Sequence, residues 1–470
     1  MSTTRWATGR DYRPPDRVGE VSERELLRAA ADYAADFLDS LGDRPIRAEA
    51  DVEELYDALG GPLPEEGLDD RGVLASLVES VEPGLVGIPS GRYFGFVIGG
   101  AVPAALAADW MTSAWDQNSG LYAGGPSAAV AEEVARGWLV ELLGLPAGAS
   151  AAFVTGCQMA HVTALAVARQ HVLEQAGWDV AQDGLVGAPP IRVVVGAKRH
   201  VTVDRALRLL GIGASALAVV PADDQGRMRV GELPDLGDVP TIVCGQAGEV
   251  NTGAFDDLGA IADAVDGTGA WFHVDGAFGL WAAASRDLRH LVRGAERADS
   301  WATDCHKWLN VPYDSGVAFC AHPDAHRAAI GVTASYLVHA RDPRERDPVD
   351  WTPEFSRRAR GIAVYAAIRS LGRVGVSAMV EQCCAHARRF AELLEAGGMT
   401  VLNDVVLNQV LVRCDPDVIA RVQDDGTCWL SGTEWNGEHA MRISVSNWRT
   451  TDDDVERSAA AILAAATVRV

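Results

Sequence analysis

Two short segments of this chain hold its densest chemistry: His273-Val-Asp-Gly-Ala-Phe-Gly and Asp304-Cys-His-Lys-Trp. Each follows a strand-like run, so Asp275 and Lys307 fall near strand ends, where open α/β sheets bind their ligands. A carboxylate and an amine converging there suit a pyridine cofactor. The carboxylate keeps a proton on the ring nitrogen so that the ring accepts electrons, and the amine condenses with an aldehyde. Taken singly, a strand-end aspartate is ordinarily a cap and a lysine a solvated charge. Lys307, however, lies between His306 and the apolar run Trp308-Leu-Asn-Val-Pro, which does not read as a solvated face. Burial there is expected to lower its pKa toward useful nucleophilicity.

A second segment, Phe153-Val-Thr-Gly-Cys-Gln-Met-Ala-His, reads as a glycine-containing turn that leaves a strand and opens a helix. Such a turn offers unpaired N–H groups and the positive end of a helix dipole to a phosphate. Thr155, Gly156, Cys157 and Gln158 are then candidate contacts, although the same residues also read as a plain helix start. Gly211-Ile-Gly-Ala-Ser-Ala matches a dinucleotide fingerprint by letter. It follows a helical run and precedes a strand, so Gly211 reads as a helix C-cap.

On these residues the chain resembles the group II pyridoxal-5′-phosphate (PLP)-dependent amino-acid decarboxylases, which include the aromatic amino-acid and glutamate decarboxylases. The likeness runs over roughly residues 85 to 450. It implies PLP as cofactor, Lys307 as its Schiff-base lysine, Asp275 at the pyridine nitrogen and Ala277 packed under the ring. His200, in Arg199-His-Val-Thr-Val-Asp, resembles the histidine stacked on the ring's other face, and His306-Lys307 matches the family's His-Lys pair. Cys157 and Gln158 depart from the family's usual residues, and Asp304 stands where Asn is common. An acidic side chain near a phosphate must be offset by a donor or turned away.

Tyr336, in Ala334-Ser-Tyr-Leu, resembles the mobile-loop tyrosine that protonates the substrate carbon across a dimer interface, and a charged, proline-marked loop follows it. Arg442, in Met441-Arg-Ile-Ser-Val, stands where fold-mates place a substrate-carboxylate or structural arginine. Arg357 and Arg358 read either as lid anchors or as a solvated helix start. The implied reaction is α-decarboxylation of an L-amino acid to the amine and CO₂. An aldehyde-forming oxidative deamination, or another PLP lyase or aminotransferase reaction, would share every cofactor residue. Retention of His200 and Tyr336 favours simple decarboxylation, and intact Asp275 and Lys307 argue against a non-enzymatic binding protein. Trp115, Tyr122 and Trp281 could line an aromatic pocket, but such rings are more often ordinary core. No metal is implied.

These residues need a scaffold. Strand-like runs at 191–195, 217–220, 241–244, 271–274 and 316–320 alternate with helical segments, which argues for a parallel sheet covered on both faces. The resemblance makes this PLP-dependent fold type I, an α/β fold. It comprises a helical N-terminal arm (1–85), a large domain with a mostly parallel seven-stranded sheet (86–372) and a smaller α+β C-terminal domain (373–470). Ser22-Glu-Arg-Glu opens the arm with a capping-box pattern. A long helical region is expected from Phe355 to about Ala396, then strands at 405–412 and 441–445 and helices at 416–423 and from Asp452.

Composition narrows the partners. The 470 residues carry a formal net charge of −24, which repels nucleic acid and anionic lipid. The uncharged stretch Tyr93 to Ala108 is too short to cross a bilayer. No apolar leader and no Asn-x-Ser/Thr sequon is present. The 8 scattered cysteines form no CxxC pair and read as free buried thiols. The expectation is a cytoplasmic enzyme acting on a small amino acid, as a homodimer with its site at the subunit interface.

Overall fold

The structure is a computed structural model that describes residues 21–332, 342 and 344–467, and these divide into two units after Gly87. The first unit holds three helices, Glu23–Ser40, Val52–Leu59 and Asp70–Val81. Ser22 and Glu25 close the expected capping box on the first, and Asp51 and Glu54 close a second box on the next. Such reciprocal caps satisfy amides that a helix start otherwise leaves open.

In the second unit seven strands form the central sheet: β1 (Ser150–Val154), β2 (Arg192–Gly196), β3 (Leu217–Val220), β4 (Thr241–Gln246), β5 (Trp271–Asp275), β6 (Ser300–Asp304) and β7 (Gly316–Cys320). Their order is β1-β7-β6-β5-β4-β2-β3. Only β7 is antiparallel to its neighbours, β1 and β6. β1, β5, β6 and β7 are buried along their whole length, as strands covered on both faces must be. A second sheet, order β8-β10-β9, comprises β8 (Gln409–Arg413), β9 (Ser431–Trp435) and β10 (Glu438–Ser444). β9 escapes sequence reading because Ser-Gly-Thr-Glu-Trp buries only its two ends and shows no apolar alternation.

The long helix starts at Gly361, not near Phe355, and runs to Ala396 with a break at Gly372, where φ is 60° and ψ −179°. It is long and apolar enough to cross a membrane by length and composition, yet Val376, Val380, Cys383, Phe390 and Leu394 are buried in the core. Arg357 precedes it and is buried. Its guanidinium pairs with Glu132 at 2.5 Å and donates to the carbonyl of Phe153 at 3.2 Å. The solvated-start reading therefore fails for Arg357, which braces the strand leading into the Thr155 turn. Arg358, partly exposed, pairs with Asp109 at 2.8 Å. Gly211 follows the helix Val201–Leu209 with φ +77°, as a C-cap.

Small side chains set the closest approach in the sheet. Ala152, Val154, Ala302 and Ala318 of β1, β6 and β7 pack against Cys157, Ala160 and Ala164 of the helix Cys157–Gln175. Without bulk between them, backbone elements come near enough for polar side chains to meet. The same economy governs Gly99, where a Cβ would lie 1.9 Å from the carbonyl oxygen of Lys307. Gly99→Ala is therefore expected to push the Lys307 segment out of place and cost about 1–3 kcal/mol. Thermal unfolding and PLP titration should register a lower Tm together with weaker binding, and wild-type values for both would refute this packing argument.

Candidate active site

β5 and β6 are parallel neighbours, with Asp275 in register with Ala302. The turns beyond them are laced together. Gly276 N–H donates to Ala302 O and Asp304 N–H to Ala277 O, both at 2.9 Å, and Thr303 Oγ1 donates to Gly276 O at 2.8 Å. Asp275, Ala277 and Lys307 thereby line one cavity of about 430 Å³ with His200, Gln246 and Arg442. The convergence expected from the sequence is present. A larger, charged depression of 710 Å³ lies among residues 342–351 and their neighbours and holds none of these groups.

Asp304 is offset by donors on every side. Its Oδ1 accepts the Cys157 N–H at 2.6 Å and faces His306 Nε2 at 3.2 Å, while Oδ2 pairs with Lys307 Nζ at 3.0 Å. Ser315 N–H donates to His306 Nδ1, which leaves the imidazole proton on Nε2, toward Asp304. Burial pushes the Asp304 carboxyl up, but Lys307 and His306 outweigh it and hold the group at about 2. Burial likewise works against a charged Lys307, yet the Asp304 carboxylate reverses it and raises the amine above the usual lysine value. The expected lowering of the Lys307 pKa is thus overturned: a buried carboxylate 3.0 Å away stabilises the ammonium more than burial destabilises it.

Gly156 caps the helix Cys157–Gln175 and His200 caps the helix Val201–Leu209. Gln158 joins these starts, its Nε2 donating to Thr202 O at 3.2 Å. His200 Nδ1 meets Thr202 Oγ1 at 2.8 Å and accepts Thr202 N–H, which leaves Nε2 for the cavity side. Thr155 and Gly156 are partly exposed at the turn, and two helix N-termini meet there, with Cys157 N–H taken by Asp304 and Thr202 N–H by His200. The donor set fits PLP: an amine, a carboxylate that could meet the ring nitrogen, a flat imidazole and a small alanine share one cavity.

The small sheet contributes Arg442, buried on β10, which lines the cavity and whose Nε has no hydrogen-bond partner. Phe96 and Phe278 supply the cavity's aromatic rings. Of the aromatics singled out from the sequence, Trp115 is about half exposed and Trp281 is core, its Nε1 donating to Asp304 O at 3.1 Å. Tyr336 lies outside the described residues.

Three residues were not anticipated. Gly316 sits between Val154 and Asp304 in the β1–β7–β6 ladder, and a Cβ there would be 2.5 Å from Gly156 Cα. Asn310, at φ 54°, accepts N–H bonds from Gly100 and Trp448 and donates to Ser446 O, tying the Lys307 segment to the C-terminal part. His161 is fully buried, with Nε2 3.5 Å from Asp275 Oδ1. A left-handed asparagine and a histidine within an apolar helix were the available signals.

Residues 62–413 match the family model described as the pyridoxal-dependent decarboxylase conserved domain. The chain is 27% identical over 461 residues to an aromatic-L-amino-acid decarboxylase of Bacillus atrophaeus, covering 92% of this chain and 93% of that protein. It is 30% identical over 426 residues to an L-2,4-diaminobutyrate decarboxylase of Rhizobium meliloti, covering 84% and 82%. The fold is similar to that of Oryza sativa TDC with PLP and tryptamine, with a TM-score of 0.88, 22% identity and coverage of 94% and 97%.

Replacing Asp304 by Asn removes the anion that keeps Lys307 protonated, so the neutral, nucleophilic amine becomes more populated. After mixing with PLP at neutral pH, the visible absorbance of the covalent cofactor should grow several-fold faster in Asp304→Asn than in wild type. An unchanged or slower rate would show that Asp304 does not hold that proton.

Proposed function

Because the chain belongs to the pyridoxal-dependent decarboxylase family, with PLP as its cofactor, we propose that it removes the α-carboxylate of an L-amino acid with an aromatic or other large apolar side chain, releasing the amine and CO₂. The observation that carries this reading is the single cavity shared by Lys307, Asp275, His200 and Arg442, with Phe96, Val250 and Phe278 on its walls. The two relatives above are named for an aromatic and a diamino substrate, so membership of the family leaves the side-chain preference to the cavity. Its apolar walls favour a side chain of the first kind.

PLP, when bound, supplies an electron sink for the bond broken at the substrate's α-carbon. Lys307 Nζ would hold the cofactor at its aldehyde carbon until the substrate's amine takes its place. Asp304, whose Oδ2 lies 3.0 Å from Lys307 Nζ, would then keep the freed lysine amine protonated. Asp275 would keep the ring nitrogen protonated. Burial drives its carboxyl up, but His161, His200 and the Ala277 N–H reverse this and hold it well below the usual carboxylate range, so it stays anionic. His200, positioned by Thr202, would cover one ring face and Ala277 the other, and the partly exposed turn at Thr155 and Gly156 would face the phosphate, the Cys157 N–H being held by Asp304. Arg442 offers a desolvated cation to a substrate carboxylate, while Phe96 and Phe278 line the space a side chain would occupy. By its resemblance to the family's loop tyrosine, Tyr336 would give the α-carbon its proton from the partner subunit of a homodimer.

The test is a screen of the twenty amino acids with PLP added, measuring CO₂, amine, aldehyde, ammonia and peroxide. An aromatic or large apolar amino acid should give amine and CO₂ in equal amounts, and Lys307→Ala should abolish both. Aldehyde with ammonia would instead make the chain an oxidative deaminase. Absorbance changes without CO₂ would make it an aminotransferase or lyase.

A further inference from the structure

Behind Asp275, on the side away from Lys307, an unbroken line of buried polar groups crosses the interior. Trp271 Nε1 donates to Ser300 Oγ at 2.8 Å, Ser300 Oγ lies 2.9 Å from His273 Nδ1, His273 Nε2 lies 3.0 Å from His161 Nδ1, and His161 Nε2 lies 3.5 Å from Asp275 Oδ1. His161, His273 and Ser300 have no exposed surface, and Trp271 has 1%. Water therefore does not complete these bonds, and each proton must be placed by its neighbours.

The placement follows from the two ends. The indole N–H can only donate, so Ser300 Oγ accepts from it and has one proton of its own to give. The carboxylate can only accept, so the histidine facing it must present N–H. Reading inward from both ends gives one consistent direction: Trp271 to Ser300, Ser300 to His273 Nδ1, His273 Nε2–H to His161 Nδ1, and His161 Nε2–H to Asp275. Running it backwards would set a bare ring nitrogen against a buried carboxylate. A neutral His273 suits the middle of the line, since burial holds its pKa down at about 3. Cys157 Sγ, 3.4 Å from His161 Nε2 and 4.0 Å from Asp275 Oδ1, is the other polar group at this end.

We propose that His161 is a positioning residue that, fed by this relay from Trp271, Ser300 and His273, keeps the Asp275 carboxylate ionised and so holds the proton on the cofactor's ring nitrogen. The inference rests on the proposed pairing of Asp275 with that nitrogen. A buried carboxylate without a donor would take the proton for itself. The His161 N–H lowers the carboxylate's affinity for the proton, which then resides on the ring. Bonds aligned in one direction polarise one another, so groups farther along the relay contribute as well. The small residues between the helix Cys157–Gln175 and the sheet are what let His161 reach both His273 and Asp275.

The experiment is ¹⁵N NMR of enzyme loaded with ring-¹⁵N PLP, comparing wild type with His161→Leu, His161→Gln, Ser300→Ala and Asp275→Asn. His161→Leu should move the ring signal toward the unprotonated position and lower kcat on the order of 10- to 100-fold, the scale of one lost hydrogen bond to a charged group, with KM little changed. His161→Gln keeps an N–H near Nε2 and should restore most of both. Ser300→Ala, a small change at the far end, should shift the signal the same way by less. Should His161→Leu not fold, ¹⁵N-histidine labelling of the wild type decides the matter: His161 Nε2 must carry a proton, and a bare Nε2 overturns the relay. A wild-type ring signal in His161→Leu overturns it too, provided Asp275→Asn moves that signal. If Asp275→Asn also leaves it unmoved, the pairing of Asp275 with the ring is what fails.

Discussion

The hydrogen-bonded pairing of β5 with β6 is the constraint on which the rest depends. It sets Asp275 and Asp304 at adjacent strand ends, and the bonds between Gly276, Ala277, Ala302 and Asp304 stop the two turns from drifting apart. Lys307 follows Asp304 closely enough to fold back onto it. An amine and a ring-nitrogen carboxylate thus share one cavity because two buried strands are neighbours, with no long flexible connection involved. This is how an open α/β sheet makes a site from the outlets of its strands.

Two carboxylates are buried there, and each would be costly alone, by several kcal/mol. They are compensated differently. Asp304 is satisfied by donors that also belong to the cofactor site: the Lys307 ammonium, His306 Nε2 and the first N–H of the helix Cys157–Gln175. Asp275 is satisfied from behind, by the Ala277 N–H and by His161, leaving its cavity side free. This division gives the two acids different tasks. One governs the proton on the lysine, and the other offers its charge to whatever ring occupies the cavity. Glycines at 99, 156 and 316 make the arrangement sterically possible, since a Cβ at 99 or 316 would collide with backbone and one at 156 would press on His306.

Much of this was legible in the sequence. Strands at 217–220 and 316–320 were read to the residue, and three more within two residues, because they are short β-branched or aromatic runs bounded by turns. Lys307 stood out by its apolar flank, and a plainer signal supports it: the chain has only two lysines, Lys198 and Lys307, against 39 arginines. What was missed depended on tertiary approach. His161 stood unremarked in the segment that opens the helix Cys157–Gln175, and only the alanine-lined contact with β6 and β7 brings it to Asp275. The direction of the Lys307 shift was misjudged because burial is visible in a sequence while a carboxylate 3.0 Å away is not. The cavity's aromatics proved to be Phe96 and Phe278, not the tryptophans, since which ring faces a cavity is decided by backbone path. Phe96 sits at φ 53°, a conformation that no propensity argument assigns to phenylalanine.

The central claim is a covalent bond to one of two lysines. Lys198 lies over the ring of Trp435 at 4.3 Å and is absent from the cavity lining. Enzyme loaded with PLP, reduced with borohydride, digested and mapped by mass spectrometry should carry one phosphopyridoxyl group per chain, on Lys307, with Lys198 unmodified. A label on Lys198, or no covalent label on either lysine, would contradict the account.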